Sequence, residues 1–464
     1  MLFNSIEYLF FLPLVFLLYW LVCRNNRSRN LLIVAASFVF YGWWDWRFLC
    51  LMVVSCLCSF FAGLLLENSR KRRGLILATS LVINLGILFV FKYFNFFVES
   101  TEEVMHILGV NASPQFISVV LPVGISFYTF QAVGYTLDVY RRGFHAVKDP
   151  ILFFAFISFF PQLVAGPIER ASNLIPQFMA TRSFKRSQAV DGMRQILWGL
   201  MKKMLLADNC AVVANYVFAN YATLSAADLW VGAVCFTFQI YGDFSGYSDI
   251  AIGSGKLFGI RLMQNFRLPY FSQTIPEFWR RWHISLMTWL RDYVYFPLGG
   301  SRCSSLKHVR NVAVVFFISG LWHGANWTFV AWGLYHAALF LPFSLVKGKQ
   351  TRGSRFLLTI ATFVLVVVGW VIFRSATLTD AWQYIVGMFD VRNLGTVNCG
   401  RQPLIYIVGF TLVEYLFRKR EYPLAFAERG LLKYRTCRFA VYLALFLLTL
   451  VWGGVQMPFI YFQF

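Results

Sequence analysis

The 464-residue sequence predicts an all-α polytopic membrane protein, and three observations carry that prediction. Hydrophobic residues make up 58% of the chain and charged residues only 14%, where an ordinary soluble domain carries about 25% charge. Too little charge remains to cover a water-facing surface. Mean hydropathy is +0.60, and the apolar residues fall into runs of membrane-spanning length. The 42 Lys and Arg outnumber the 21 Asp and Glu and cluster between those runs, as loops held on the cytoplasmic side do. A disordered chain, a coiled coil and a soluble enzyme with one core are excluded. The surplus of cations therefore speaks for orientation in a bilayer and not for nucleic acid.

Taken in order, apolar runs cover residues 6–22, 31–46, 48–67, 74–97, 117–140, 228–260, 311–345, 356–373, 402–417 and 438–457. Two of them are long enough for two elements each, and 311–345 is expected to hold a span and part of a return near Gly333. Weaker runs at 151–166 and 189–219 carry Pro161, Gly166, Pro167, Lys202 and Lys203 in or beside them. Irregular backbone at membrane depth is tolerated only inside protein or beside water, so these read as re-entrant or tilted pieces. The expected total is about ten to twelve spans, with interfacial helices in addition.

The first run has no cationic start and no small-residue cleavage site, so it reads as a retained helix and not a signal peptide. Basic clusters at Arg24–Arg29, Arg70–Arg73 and Arg141–Lys148 belong inside, which puts the N-terminus outside; Glu99–Gln115, with Glu102 and Glu103, belongs outside. No repeat or long linker appears, so residues 1–464 read as one integral-membrane domain with a motif-rich core at about 120–345. Nine scattered cysteines form neither a disulfide framework nor a metal spacing, and no metal is expected.

Polar residues inside apolar runs are expensive and mark function. LPVGISFYTFQAVGYTLDVY (121–140) carries Gln131 and Asp138 in an aromatic run, and FFPQLVAGPIER spans 159–170. YGDFSGYSD (241–249) places Tyr241, Asp243 and Asp249 where a span should be apolar; its two carboxylates point about 240° apart on a helix, so they are no obvious pair.

His323 follows Arg310 by 13 residues, which carries it about 20 Å along a continuous helix. An imidazole takes and returns a proton near neutrality. Ser319, Gly320 and Gly324 suggest open space beside the ring. His336 points about 220° from His323 if the helix is unbroken, and reads as structural. Trp279, Trp282, His283, Leu286, Leu290 and Tyr293 share one face of a helix over 278–295, with Arg280 and Arg291 off it. That pattern predicts an amphipathic helix at the cytoplasmic interface. It serves either to anchor the chain in headgroups or to form a funnel with His283 near its mouth.

These stretches, with NFRLPYFS, FWRRWHISLMTWLRDYVYFPLGG and SGLWHG, resemble the membrane-bound O-acyltransferase (MBOAT) superfamily, in its bacterial alginate O-acetylation (AlgI-like) branch. They cover most of residues 120–330 in the expected order. The resemblance implies a ring of helices around a thin central region pierced by a tunnel. It also implies two central histidines, mapping to His283 and His323, with His323 catalytic. Asp292 and Asn326 sit in or beside matching stretches, and Tyr241, Asp243 and Gln131 are expected to line or support the path. The implied donor is acetyl-CoA or another acyl thioester on the cytoplasmic side, met by Arg280, Arg281 and Arg291, with no bound cofactor. The implied acceptor is a hydroxyl on an extracytoplasmic polysaccharide or a partner acetyltransferase protein, and the implied location is a bacterial cytoplasmic (inner) membrane. Two alternatives stay open: D-alanyl transfer to teichoic acid, and a transporter whose His and Asp residues relay protons.

Overall fold

In a computed structural model, residues 1–110, 116–117, 120–164, 166–345, 354–426 and 430–462 are described. Residues 111–115 of the expected outer segment, and Ala165, lie outside them. Among the described residues every regular element is helical. Among the same residues four helices are long and apolar enough to cross a membrane: Trp46–Asn68, Arg73–Ile107, Arg355–Arg374 and Arg435–Trp452. Ile6–Val22 and Gln402–Leu416 are shorter apolar helices. Large apolar side chains stand on helix surfaces, such as Phe10 at 70% and Val82 at 71% exposure. In water such surfaces would aggregate; against lipid they are at home. The chain is a multi-pass membrane protein, and it divides into two compact units.

The first unit comprises residues 1–186, 255–262 and 324–326. Its helices are α1 (Ile6–Leu17), α2 (Asn26–Gly42), α3 (Trp46–Asn68), α4 (Arg73–Leu88), α5 (Phe94–Ile107), α6 (Ile125–Tyr140), α7 (Pro150–Ser158), α8 (Phe160–Leu163) and α9 (Ala171–Met179). Local chemistry sets several starts. Ser5 accepts the Tyr8 N–H at 3.3 Å, and Asn25 with Ser28 makes a reciprocal capping box before α2. Between α3 and α4, the Asn84 amide donates to Ser59 Oγ at 3.2 Å, the polar link expected between helices in lipid. The run at 151–166 is broken at Phe159: α7 stops at Ser158, and the Phe160 N–H at the start of α8, whose first turn holds Pro161, donates to Ser37 Oγ at 3.0 Å. Gln131 belongs to this unit, buried with its amide 3.5 Å from that of Gln162.

The second unit comprises residues 187–254, 263–323 and 327–464. α10 (Arg186–Met201) runs through a wide π turn at Lys202–Ala207 into α11 (Asp208–Ala219), and α12 (Ala226–Leu257) follows. Then come α13 (Ile275–Arg281), α14 (Ile284–Leu290), α15 (Ser305–His323), α16 (Trp327–Leu345), α17 (Arg355–Arg374), α18 (Leu378–Met388), α19 (Gln402–Leu416) and α20 (Arg435–Trp452). α15 and α16 press together through glycine. A Cβ on Gly320 would stand 2.3 Å from Phe329 O, and one on Gly333 would stand 2.3 Å from Phe316 O. Gly320 is thus a backbone contact, not the open space its small size suggested.

One expectation about helix continuity is overturned and another is relocated. The helix over 278–295 does not form in one piece. α13 ends at Arg281, Trp282 is extended, and His283 is left-handed at φ +44° and ψ +51° before α14 begins. The run at 311–345 holds two helices, as expected, but the chain turns at 324–326 and not near Gly333, so the angular separation of His336 from His323 on an unbroken helix does not apply.

Candidate active site

His323 ends α15, and the expected continuous helix from Arg310 is present. His283 reaches the same place from the α13–α14 junction. The two rings are 6.3 Å apart, centroid to centroid, inclined at 67°. Both are buried, at 0% exposure for His283 and 3% for His323.

The positive φ at His283 is uncommon for a side chain with Cβ, and such strain persists only where surroundings impose it. Asn265 imposes it. Its carbonyl O accepts the Ile284 N–H at 3.0 Å, and its Oδ1 accepts from Ser285 N (3.1 Å) and Ser285 Oγ (2.9 Å). The same Oδ1 lies 3.3 Å from His283 Nδ1. A ring held at Nδ1 by a carbonyl oxygen carries its proton there and presents Nε2 as the basic atom. Among the described residues Nε2 has no hydrogen-bond partner. Nothing in the spacing of the sequence singles out Asn265, because its partners lie 18 and 20 residues away.

Aromatic rings complete the surroundings. Phe244 of α12 meets His283 edge-on at 4.7 Å, and Trp322 lies 5.3 Å from it. Trp332 and Phe373 stand 5.0 and 5.3 Å from His323. Tyr461, which the sequence reading missed, stands 5.6 Å from His323 and 4.6 Å from Phe244. His336 lies one ring further out, 5.2 Å from Trp332 and 5.0 Å from Trp279. Such a cage limits water, and it holds two groups able to exchange protons or attack a carbonyl.

The other expected residues are dispersed. Tyr241 donates to buried Glu414 Oε1 at 2.8 Å. Asp243 lies 2.9 Å from Lys203 Nζ. Arg280 is exposed, Arg281 pairs with Glu277 at 2.6 Å, and Arg291 pairs with its neighbour Asp292 at 2.8 Å. Asn326 lies in the 324–326 link after α15, and Gln131 in the other unit.

A cleft in the second unit is lined in part by Asn265, the residue that holds His283. Its walls include buried Asn265, Lys202 and Glu414, half-buried Arg420, and exposed Arg267 and Glu421. Lys202 is held inside by Asp249 at 2.6 Å and by Ser245 Oγ at 3.1 Å.

Comparison with known proteins agrees with the motifs. The model of the MBOAT, membrane-bound O-acyltransferase family, matches residues 145–379. The "Probable alginate O-acetylase AlgI" of Pseudomonas aeruginosa is 43% identical over 425 residues, covering 90% of this chain and 80% of its own length. The "Peptidoglycan O-acetyltransferase" of Helicobacter pylori is 34% identical over 445 residues, covering 87% and 82%. The "Teichoic acid D-alanyltransferase" of Bacillus subtilis is 27% identical over 275 residues, covering 54% and 68%. With helices, motifs and relatives in agreement, the chain belongs to the membrane-bound O-acyltransferase family, in its alginate O-acetylase-like branch, and is an O-acyltransferase.

Proposed function

We propose that the protein moves an acetyl group from a cytoplasmic thioester, acetyl-CoA, to a hydroxyl on an extracytoplasmic polysaccharide, either directly or through a partner acetyltransferase protein. The observation that carries this reading is the pair of buried imidazoles 6.3 Å apart inside a cage of rings. Acetyl is favoured over D-alanyl because the relatives of higher identity are named as O-acetylating proteins.

His323 acts as the general base. It takes the proton of the acceptor hydroxyl as that oxygen attacks the thioester carbonyl. The C–S bond then breaks, and the leaving sulfur takes the proton back. A thioester is already activated, so the protein's part is position, a base and exclusion of water. His283, fixed by Asn265, stands beside the incoming carbonyl. Arg280, Arg281 and Arg291 receive the phosphates of the donor, as do Arg267 and Arg420 beside the cleft. Asp292, Asn326, Tyr241, Asp243 and Gln131 support the path without touching the reacting atoms. The membrane is the bacterial cytoplasmic one, with the basic loops inward.

The test is to incubate purified protein with acetyl-labelled CoA, with and without acetylatable polysaccharide and extracytoplasmic partner proteins. Labelled ester on the acceptor supports the reading. Thioester consumption that never yields an O-ester, with every acceptor class tried, contradicts it.

A further inference from the structure

Lys203 is the most buried lysine that the mechanism leaves unused; its side chain is 1% exposed, and those of Asp208 and Asp243 are 2% exposed. The Lys203 ammonium donates one hydrogen bond and forms two ion pairs. Asp208 Oδ1 and Asp243 Oδ1 lie at 2.9 Å, and the backbone carbonyl of Met457 accepts at 2.9 Å. The second oxygen of Asp243 accepts the Ile460 N–H at 2.7 Å. One buried ionic group thus grips residues 453–462 at two points.

Residues 453–459 carry no regular structure, and Val455 is 73% exposed. Further ties lie beside the same cluster: Gly454 N–H to Met204 O at 2.9 Å and, just before the segment, Asn209 Nδ2 to Trp452 O at 2.9 Å. Gly454 rests flat on the start of α11, where a Cβ would meet Asn209 N at 2.8 Å. Beyond the grip, Phe459 packs on Tyr247 at 4.3 Å, and Tyr461 closes on Phe244, Trp322 and His323.

Buried ion pairs are poor contributors to stability, and apolar replacements of similar volume are often neutral. Their use here lies in position. We propose that Lys203, Asp208 and Asp243 form a positioning cluster that seats residues 453–462 as a wall of the histidine cage, keeping water from the acyl group during transfer. The inference rests on the acyl-transfer reading above. It makes a different prediction, about partition: with the wall unseated, water replaces the acceptor hydroxyl. Its oxygen attacks the thioester carbonyl, the C–S bond breaks, and acetate and free thiol are released.

The test compares wild type with two variants that unseat the segment by different routes. One is the charge-free triple Lys203→Met, Asp208→Leu, Asp243→Leu. The other is Gly454→Val, which leaves every charge in place. Seating is read by mass spectrometry, as the alkylation rate of a cysteine introduced at buried Ile460. Function is read as labelled acetyl on the acceptor against labelled acetate. Both variants are expected to alkylate faster, to lose transfer by about 10²-fold, as misplacement of about 1 Å does, and to shift product toward acetate. Asp243→Asn keeps an acceptor for the Ile460 N–H and should retain more transfer than Asp243→Leu. Faster alkylation with unchanged partition in Gly454→Val would overturn the inference, whether or not the triple variant folds. So would a folded triple variant whose segment stays seated, or equal loss in Asp243→Asn and Asp243→Leu. Failure of wild type to form any ester strikes the acyl-transfer reading itself.

Discussion

Leucine in place of Asn265 removes one oxygen that serves three donors at once. Ser285 N, Ser285 Oγ and the His283 ring all converge on Asn265 Oδ1. A buried donor left without its acceptor costs about 1–3 kcal/mol, so Asn265→Leu should lower the unfolding temperature and slow acyl transfer together. Asn265→Asp, which keeps the acceptor, should recover more transfer than stability alone predicts; thermal unfolding beside initial rates checks both. The same packing changes what is expected of His323. Small neighbours suggested loose surroundings, yet the ring is 3% exposed and touched by Trp332, Phe373 and Tyr461. Truncation to Ala would leave a cavity, so Gln, closer in size, is the substitution that separates chemistry from packing.

Gly320 and Gly333 let α15 approach α16 backbone to backbone, and α15 delivers His323 at its last residue. Gly320→Ala should therefore lower the unfolding temperature in detergent and reduce transfer. Gly409→Ala, in α19 with no atom within 4 Å of the added Cβ, should leave the unfolding temperature unchanged or raise it, since Ala in a helix is favoured over Gly by about 0.5–1 kcal/mol. Parallel thermal melts decide this, and equal destabilisation by both changes would contradict it. The elements also show where sequence reading stops. The apolar run made the continuity of α15 up to His323 legible, and Pro161 and Gly166 marked 151–166 as irregular. The break at His283 was not legible, because the group that enforces it, Asn265, acts across the fold. The return within 311–345 was legible but its place was not: it falls at 324–326, ahead of Gly333, and brings His336 back to the same rings. Tyr461 lies 138 positions after His323 and is brought there by Lys203 and Asp243, a link that no local pattern encodes.

Over the whole molecule, the 42 cations against 21 anions assign sides by clustering of Arg and Lys. That clustering predicts a cytoplasmic Ser69, beside Arg70–Arg73: Ser69→Cys should react with an impermeant maleimide only after the membrane is opened, and labelling of intact cells would reverse the topology. The family motifs and their order were fully legible, and they led to the right family before any geometry. The acceptor was not legible, because hydroxyl recognition leaves no spacing signal in an apolar chain. In the proposed reaction the buried histidine pair promotes acyl transfer from a donor on the basic-loop side to a hydroxyl on the other. Proteoliposomes with acceptor enclosed and acetyl-labelled CoA supplied at the basic-loop face test it most directly, comparing wild type with a monodisperse His323→Gln variant. Wild type should place label on the enclosed acceptor, and His323→Gln should do so about 10²–10⁴-fold more slowly, the usual loss for a general base. Equal labelling by the two proteins would contradict the account.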